Sequence, residues 1–150
     1  MYKVRSAKAI DAQAVQRIYA SCISTADWLP EQARAAVDFA QSSVGELVYV
    51  ATTSNGEVVG FISVQPSESF VHHLYVHRDA RGRGVGRQLL LSLLSLQPWL
   101  AAPWRLKCVR ANQRALDFYI SFGWCEVASG ESEHGSCAVL EWQPQAEFCP

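Results

Sequence analysis

The chain has 150 residues, of which 49% are hydrophobic and 18% charged, and its formal net charge is −1. That length suits one domain and that composition a packed core, which excludes a disordered chain. No apolar run nears the ~20 residues that cross a bilayer, and the charged start Met1-Tyr2-Lys3-Val4-Arg5 lacks the apolar stretch of a secretory signal. The expectation is one cytoplasmic domain over residues 1–150 with no membrane partner.

Lys3 to Ser6 reads as a first strand. Asp11 is placed to cap a helix whose apolar positions Ala14, Val15, Ile18, Tyr19 and Cys22 follow a helical period. Pro30 suits the first turn of a second helix, with Ala33, Ala36, Val37 and Ala40 on one face. Glu46 to Thr53 and Glu57 to Gln65 are strand-like and meet through Ser54-Asn55-Gly56, a hairpin signal. Phe70 to His77 is a further strand. Val85, Leu89, Leu93 and Leu96 then mark a helix that Pro98 stops, and Trp104 to Val109 is again a strand. Asn112 caps a helix carrying Ala115, Phe118, Tyr119 and Phe122, with Gly123 just past its end. Trp124 to Ser129 and Ser136 to Trp142 close as an antiparallel pair. The order β-α-α-β-β-β-α-β-α-β-β predicts a mixed α/β fold, a mostly antiparallel sheet with flanking helices.

Two features of composition narrow the chemistry. Cys22, Cys108, Cys125, Cys137 and Cys149 contain no C-x-x-C pair. They read as small buried side chains and one tail thiol, rather than a zinc site or a disulfide framework. Arg81, Arg83, Arg87, Arg105, Lys107, Arg110 and Arg114 fall in one stretch without an Asp or Glu, although the chain is near neutral. A basic middle in a neutral chain points to a local anionic ligand, not to a nucleic-acid surface.

The segment Leu74-Tyr75-Val76-His77-Arg78-Asp79-Ala80-Arg81-Gly82-Arg83-Gly84-Val85-Gly86-Arg87 carries the most information. A strand ends, three glycines alternate with larger residues, and a helix begins. Glycines let backbone N–H groups converge, the helix start adds partial positive charge, and arginines supply forked donors for a diphosphate. The spacing is neither the G-x-G-x-x-G dinucleotide pattern nor a Gly-Lys-Ser/Thr phosphate loop.

Arg81-Gly82-Arg83-Gly84-Val85-Gly86 resembles the R/Q-x-x-G-x-G/A signature of the GNAT superfamily of N-acetyltransferases. Asn112 to Trp124 resembles that family's N-x-x-A-x-x-x-Y-x-x-x-G-F, with Trp124 in place of Phe. Asn112, Ala115 and Tyr119, spaced i, i+3, i+7, lie along one side of a helix. The resemblance implies an acetyl-CoA site made by Leu74, Val76, Arg81, Gly82, Arg83, Gly84, Val85, Gly86, Arg87, Asn112, Ala115 and Tyr119, and no metal. It implies direct attack by a primary amine on the thioester in a ternary complex. Such an amine, with a pKa near 10.4, must first lose a proton.

By the same resemblance Tyr119 is the acid that protonates the leaving thiolate, and the backbone N–H of Leu74 or Val76 is the donor to the acyl oxygen. Strict alternation puts Phe70, His72, Leu74 and Val76 on one face of the strand, and His73, Tyr75 and His77 on the other. His72 is the expected base, with His73 or a water relay as alternatives. Cys108 stands where some relatives carry a catalytic Glu. A Cys108 nucleophile has no His or Asp paired with it in sequence.

The acceptor, a small molecule or a peptide, is not legible. Family acceptor pockets correspond here to Trp28-Leu29-Pro30, Phe39, Glu131, Glu133 and His134. A monomer and a homodimer both remain open. The competing function is a non-catalytic acyl-CoA sensor of the same fold, against which Tyr119 argues, since binding alone needs no acid.

Overall fold

A computed structural model describes residues 2–34, 37–93, 103–132 and 134–142. In chain order it contains β1 (Lys3–Ser6), α1 (Ala12–Ser24), α2 (Phe39–Ser42), β2 (Leu47–Thr52), β3 (Val58–Gln65) and β4 (Phe70–Val76). There follow α3 (Val85–Leu91), β5 (Arg105–Val109), α4 (Gln113–Ser121), β6 (Trp124–Ser132) and β7 (Gly135–Trp142). The order of elements and the mixed α/β class are those expected from the sequence. The strands form one sheet in the order β1-β2-β3-β4-β5-β7-β6. All neighbours are antiparallel except β4 and β5.

Each face of the sheet has its own core. Leu89 and Leu90 of α3 and Leu116 and Tyr119 of α4 pack on Ile62, Val64, Val71 and Leu140. On the opposite face Val15 and Ile18 of α1 and Phe39 of α2 cover Val50 and Phe61. Burying two apolar faces is what fixes the register of β3, whose residues from Val59 to Val64 are buried on both sides.

The helical readings before residue 45 need correction. The second helix is not continuous from Pro30: a 3-10 turn at Glu31–Arg34 precedes the short α2, and Ala36 lies outside the described residues. Gln16 explains the break. Its side-chain amide donates to Val37 O at 2.8 Å, and its carbonyl accepts from Phe39 N at 2.8 Å, which holds residues 37–39 in place beside α1. Asp38 then caps α2 by accepting from Ala40 N. Asp11 closes a 3-10 turn instead of capping α1 with its side chain. Its carboxylate accepts from Lys8 N and from both terminal nitrogens of Arg5, at 2.7–3.0 Å. The predicted helical positions Leu96 and Pro98 lie outside the described residues. Cys108 and Cys137 are buried free thiols and Cys22 a half-buried one, whereas Cys125 is disulfide-bonded, against the sequence reading.

Strand β4 contains an extra residue. Ser63 pairs with His73 but Val64 pairs with Val71, so His72 is bulged out of the β3–β4 ladder. A bulge bends its strand and increases the local twist. Here it follows at once on the last β4–β5 pair, Val71 with Leu106. Beyond that pair the two parallel strands run on without bonding to each other, while β3 and β7 continue to hold them on their outer sides. The sheet therefore opens between β4 and β5.

Leu89 is fully buried against this sheet. Leu89→Ala should cost about 2–5 kcal/mol, read as a lower denaturant midpoint with unchanged steepness.

Candidate active site

The backbone of β4 faces the opening in a defined way. His77 N–H donates to Val59 O at 2.7 Å, so the main-chain groups of residue 77 point to β3. Main-chain groups of successive strand residues point to opposite edges. Leu74 and Val76 therefore turn their N–H and C=O toward the gap. Val76 O there accepts from Arg81 Nε at 3.2 Å and lies 3.6 Å from Cys22 Sγ.

A cavity of about 570 Å³ occupies this opening. The glycine-rich turn forms one wall, through Arg81, Gly82, Gly84, Val85, Gly86 and Arg87; α4 and its cap form another, through Asn112, Ala115 and Tyr119. The end of α1 and the residues after it, from Cys22 to Trp28, reach the cavity from the other face of the sheet. Three guanidinium groups, those of Arg81, Arg87 and Arg114, line it together with a single carboxylate, that of Asp27. Among the seven basic residues of the central stretch, Arg105 and Arg110 are instead ion-paired, with Glu141 and Glu126.

The turn needs its glycines for two different reasons. Gly82 and Gly84 have φ of +75° and +84°, yet a methyl at either would meet nothing within 4 Å. Backbone conformation, not space, selects glycine there, and the surface facing the cavity stays free of side chains. Gly86 is the reverse case: a Cβ there would lie 3.2 Å from Phe118 Cζ, so its smallness sets how closely α3 approaches α4. The same contact is braced by Arg87, whose guanidinium carbon sits 5.0 Å from the centre of the Phe122 ring.

Asn112 caps α4 as expected, its side-chain oxygen accepting from Ala115 N at 3.4 Å. Tyr119 is buried at the base of the cavity, with its ring edge-on to Phe118 and Trp124. Burial raises its phenol well above the ordinary value of 10, so the hydroxyl keeps its proton throughout the neutral range. Burial likewise pushes the Cys108 thiol up to about 11, which leaves it protonated and poorly suited to nucleophilic attack.

The bulge overturns the expected alternation in β4. Val71, Leu74 and Val76 share the face of α3 and α4, while both His72 and His73 turn to a carboxylate that the sequence reading passed over, Glu46. Glu46 lies just before β2, and its side chain is 3% exposed. Ser63 Oγ donates to one of its oxygens and His72 Nδ1 contacts the other. His73 Nδ1 is 3.4 Å away without hydrogen-bond geometry. Burial among Tyr19, Phe39 and Tyr75 lowers the His73 pKa below its ordinary 6.5, against the opposing pull of Glu46. No spacing rule links residue 46 to residue 72; a strand-initial Glu beside two adjacent histidines becomes a cluster only through the β2–β3–β4 register.

Of the site residues expected from sequence, only Arg83 and His72 lie outside the cavity lining. Arg83 is exposed on the outer side of the turn. Trp28 reaches the cavity, whereas Phe39 is a core residue that also lines a separate recess between α1 and β2. Glu131 is exposed on β6, remote from the lining, and Glu133 lies outside the described residues. Among the described residues no helix is long and apolar enough to cross a membrane.

The site is thus a mixed sheet prised open between two parallel strands, with an arginine-flanked glycine turn at its mouth. Residues 44–126 match the model of the acetyltransferase (GNAT) domain, and the chain belongs to that family. Its fold resembles a GCN5-related N-acetyltransferase from Rhodopseudomonas palustris, with 23% identity, 94% of each chain covered and a TM-score of 0.77. It also resembles YjaB from Escherichia coli in its apo form, at 18% identity over 95% of this chain and 97% of that one, with a TM-score of 0.75. A third similar structure is yncA from Salmonella typhimurium, a putative acetyltransferase solved with its cofactor acetyl-CoA. There the identity is 21%, the TM-score 0.71, and the coverage 100% of this chain and 98% of that one. No curated protein matches the chain.

His73 gives the fold a pH dependence of known sign. Unfolded chains take up a proton near pH 6.5 that the folded imidazole resists, so stability rises with pH up to that value and falls below it. The denaturant midpoint should therefore be lower at pH 5.5 than at pH 7.5, and His73→Phe should narrow the difference.

Proposed function

We propose that the protein is an acyl-CoA-dependent N-acyltransferase that moves an acetyl group from acetyl-CoA to a primary amine of a small molecule or peptide, by direct attack in a ternary complex. Residues 1–150 act as a single domain in this reading, since one sheet runs from β1 to β6. The observation that carries it is the convergence on one cavity of the bare β4 edge, the Arg81–Arg87 turn and the Asn112–Tyr119 helix face.

The residues present fit coenzyme A. The N–H groups of Leu74 and Val76 and the C=O of Leu74 form a strand edge that no neighbouring strand pairs, of the kind that an extended amide-bearing arm completes, while Val76 O is taken up by Arg81 Nε. The amides near Gly82 and Gly84 and the guanidinium groups of Arg81 and Arg87 suit a diphosphate. Bound acetyl-CoA supplies an activated thioester. Around it, Tyr119 holds a proton at its phenol oxygen and is placed on the α4 face to deliver it to a leaving thiolate. The N–H of Leu74 or Val76 offers a donor to an acyl oxygen. His72 stands two residues before Leu74, about 7 Å along the strand, so it takes up the amine's proton through a water. The basic mouth and the single Asp27 carboxylate also separate an anionic carrier from a cationic acceptor. The yncA structure with acetyl-CoA shows that a protein of this fold accommodates the carrier, which supports the same assignment here.

Release of free thiol from acetyl-CoA against a panel of amines and short peptides tests the reading, with turnover by at least one acceptor expected. Tyr119→Phe should lower kcat by about 10²–10⁴-fold with little change in acetyl-CoA affinity; equal turnover removes its role as acid. Gly84→Val should cost about 1–2 kcal/mol of backbone conformation at φ +84°. Its binding of coenzyme A should fall by ~10-fold or more in calorimetry, while the far-ultraviolet spectrum stays unchanged.

A further inference from the structure

Glu46 belongs to neither sequence motif, yet it is a deeply enclosed carboxylate beside the bulge of β4, its side chain only 3% exposed. A carboxylate accepts hydrogen bonds and donates none when ionised, and it stays ionised away from water only where donors reach it. Ser63 Oγ–H from β3 donates to Oε1, and His72 Nδ1 from the bulge of β4 meets Oε2. An imidazole nitrogen facing an acceptor-only group must carry the hydrogen. With Nδ1 so fixed, a neutral His72 has its lone pair at Nε2.

The rest of the environment separates the two histidines. The His72 side chain is 35% exposed, and its ring meets Phe70 edge-on, with centroids 4.9 Å apart. His73 is enclosed by the rings of Tyr19, Phe39 and Tyr75, and burial lowers its pKa. The titratable groups that face His72 are Glu46, from the segment before β2, and His73, its neighbour on β4; Phe70 on β4 packs edge-on against its ring.

Building on the reading of His72 as base, we infer that Glu46 is the positioning residue of a carboxylate–imidazole pair: it holds His72 in the Nδ1–H form, so that Nε2 is the atom that receives the proton shed by the acceptor ammonium. The proton balance is simple. The ammonium loses H⁺ to the bridging water, which passes one to Nε2, and the Glu46–His72 pair goes from a charge of −1 to zero. The attacking nitrogen becomes a neutral amine. The proton returns to solvent from the exposed edge of the ring. Glu46 thus both sets the tautomer and offsets the imidazolium charge, a task that the enclosed His73 does not share.

Long-range ¹⁵N–¹H correlation spectra of the histidine rings test this on the whole chain, with His72→Gln and His73→Gln used only to assign signals. At pH 7.5 the His72 ring should be protonated at Nδ1 and bare at Nε2. Glu46→Ala should move it to the Nε2–H form, whereas Glu46→Gln, which retains an acceptor oxygen, should keep the tautomer. In thiol-release kinetics Glu46→Gln should shift the acidic limb of kcat/KM to lower pH, and Glu46→Ala should reduce kcat/KM by about 10-fold or more with KM for acetyl-CoA unchanged. An Nε2–H ring in the unmodified protein overturns the inference, whatever the enzyme does. A rate profile indifferent to Glu46→Gln also overturns it. A profile indifferent to His72→Ala, with the Nδ1–H tautomer observed, instead overturns the reading of His72 as base.

Discussion

The bulge at His72 is the constraint on which the rest of the site depends. One extra residue in β4 ends its pairing with β5 after Val71 and Leu106, and the sheet opens where a regular ladder would have closed it. The same residue inverts the facing of the strand. Leu74 and Val76 keep their side chains in the α3–α4 core and their main-chain groups on the gap, while His72 and His73 swing to Glu46 on the α1 side. A single irregularity thus creates both a cleft for an extended ligand and a buried acid–imidazole cluster beside it. Bulges commonly stand next to active sites, where they re-aim a side chain.

Around that opening, charge and burial are divided between two ends. The mouth carries Arg81, Arg87 and Arg114 in solvent, where guanidinium groups attract and orient an anion without a desolvation cost. The inner end is enclosed. Tyr119 in the cavity wall and Cys108 in the core behind it both have raised pKa values because burial disfavours their anions, so both stay protonated. In the proposed reaction these protonated groups suit direct transfer between two bound substrates better than a route through an acyl-enzyme on Cys108. The close fit of Gly86 on Phe118 ties the two motifs mechanically, since α3 carries the glycine turn and α4 carries Tyr119.

Local signals made most of the fold legible. Strand and helix order followed from periodicity and turn residues, and Asn112, Gly84 and Gly123 punctuate the chain where their chemistry predicts. Readings failed where a long-range contact outweighs a local one. Gln16 reaches 21 residues along the chain to Val37 and breaks the expected second helix, and Asp11 gives its carboxylate to Arg5 instead of to a helix end. The two motifs marked the glycine-turn and α4 walls of the cavity because their spacing is short and periodic. Glu46 left no such trace: it meets His72, 26 positions further along the chain, only because β2, β3 and β4 are adjacent, and a period-2 reading of β4 cannot see a bulge.

In the proposed reaction the open edge of β4 at Leu74 and Val76 is a binding surface for the arm of coenzyme A. Residue-resolved hydrogen exchange of the Leu74 and Val76 amides, with and without saturating coenzyme A, measures this most directly. Both amides should exchange markedly more slowly once the ligand is bound, while Tyr75, already directed at β3, changes little. Equal exchange at Leu74 and Val76 in the presence and absence of bound coenzyme A would contradict it.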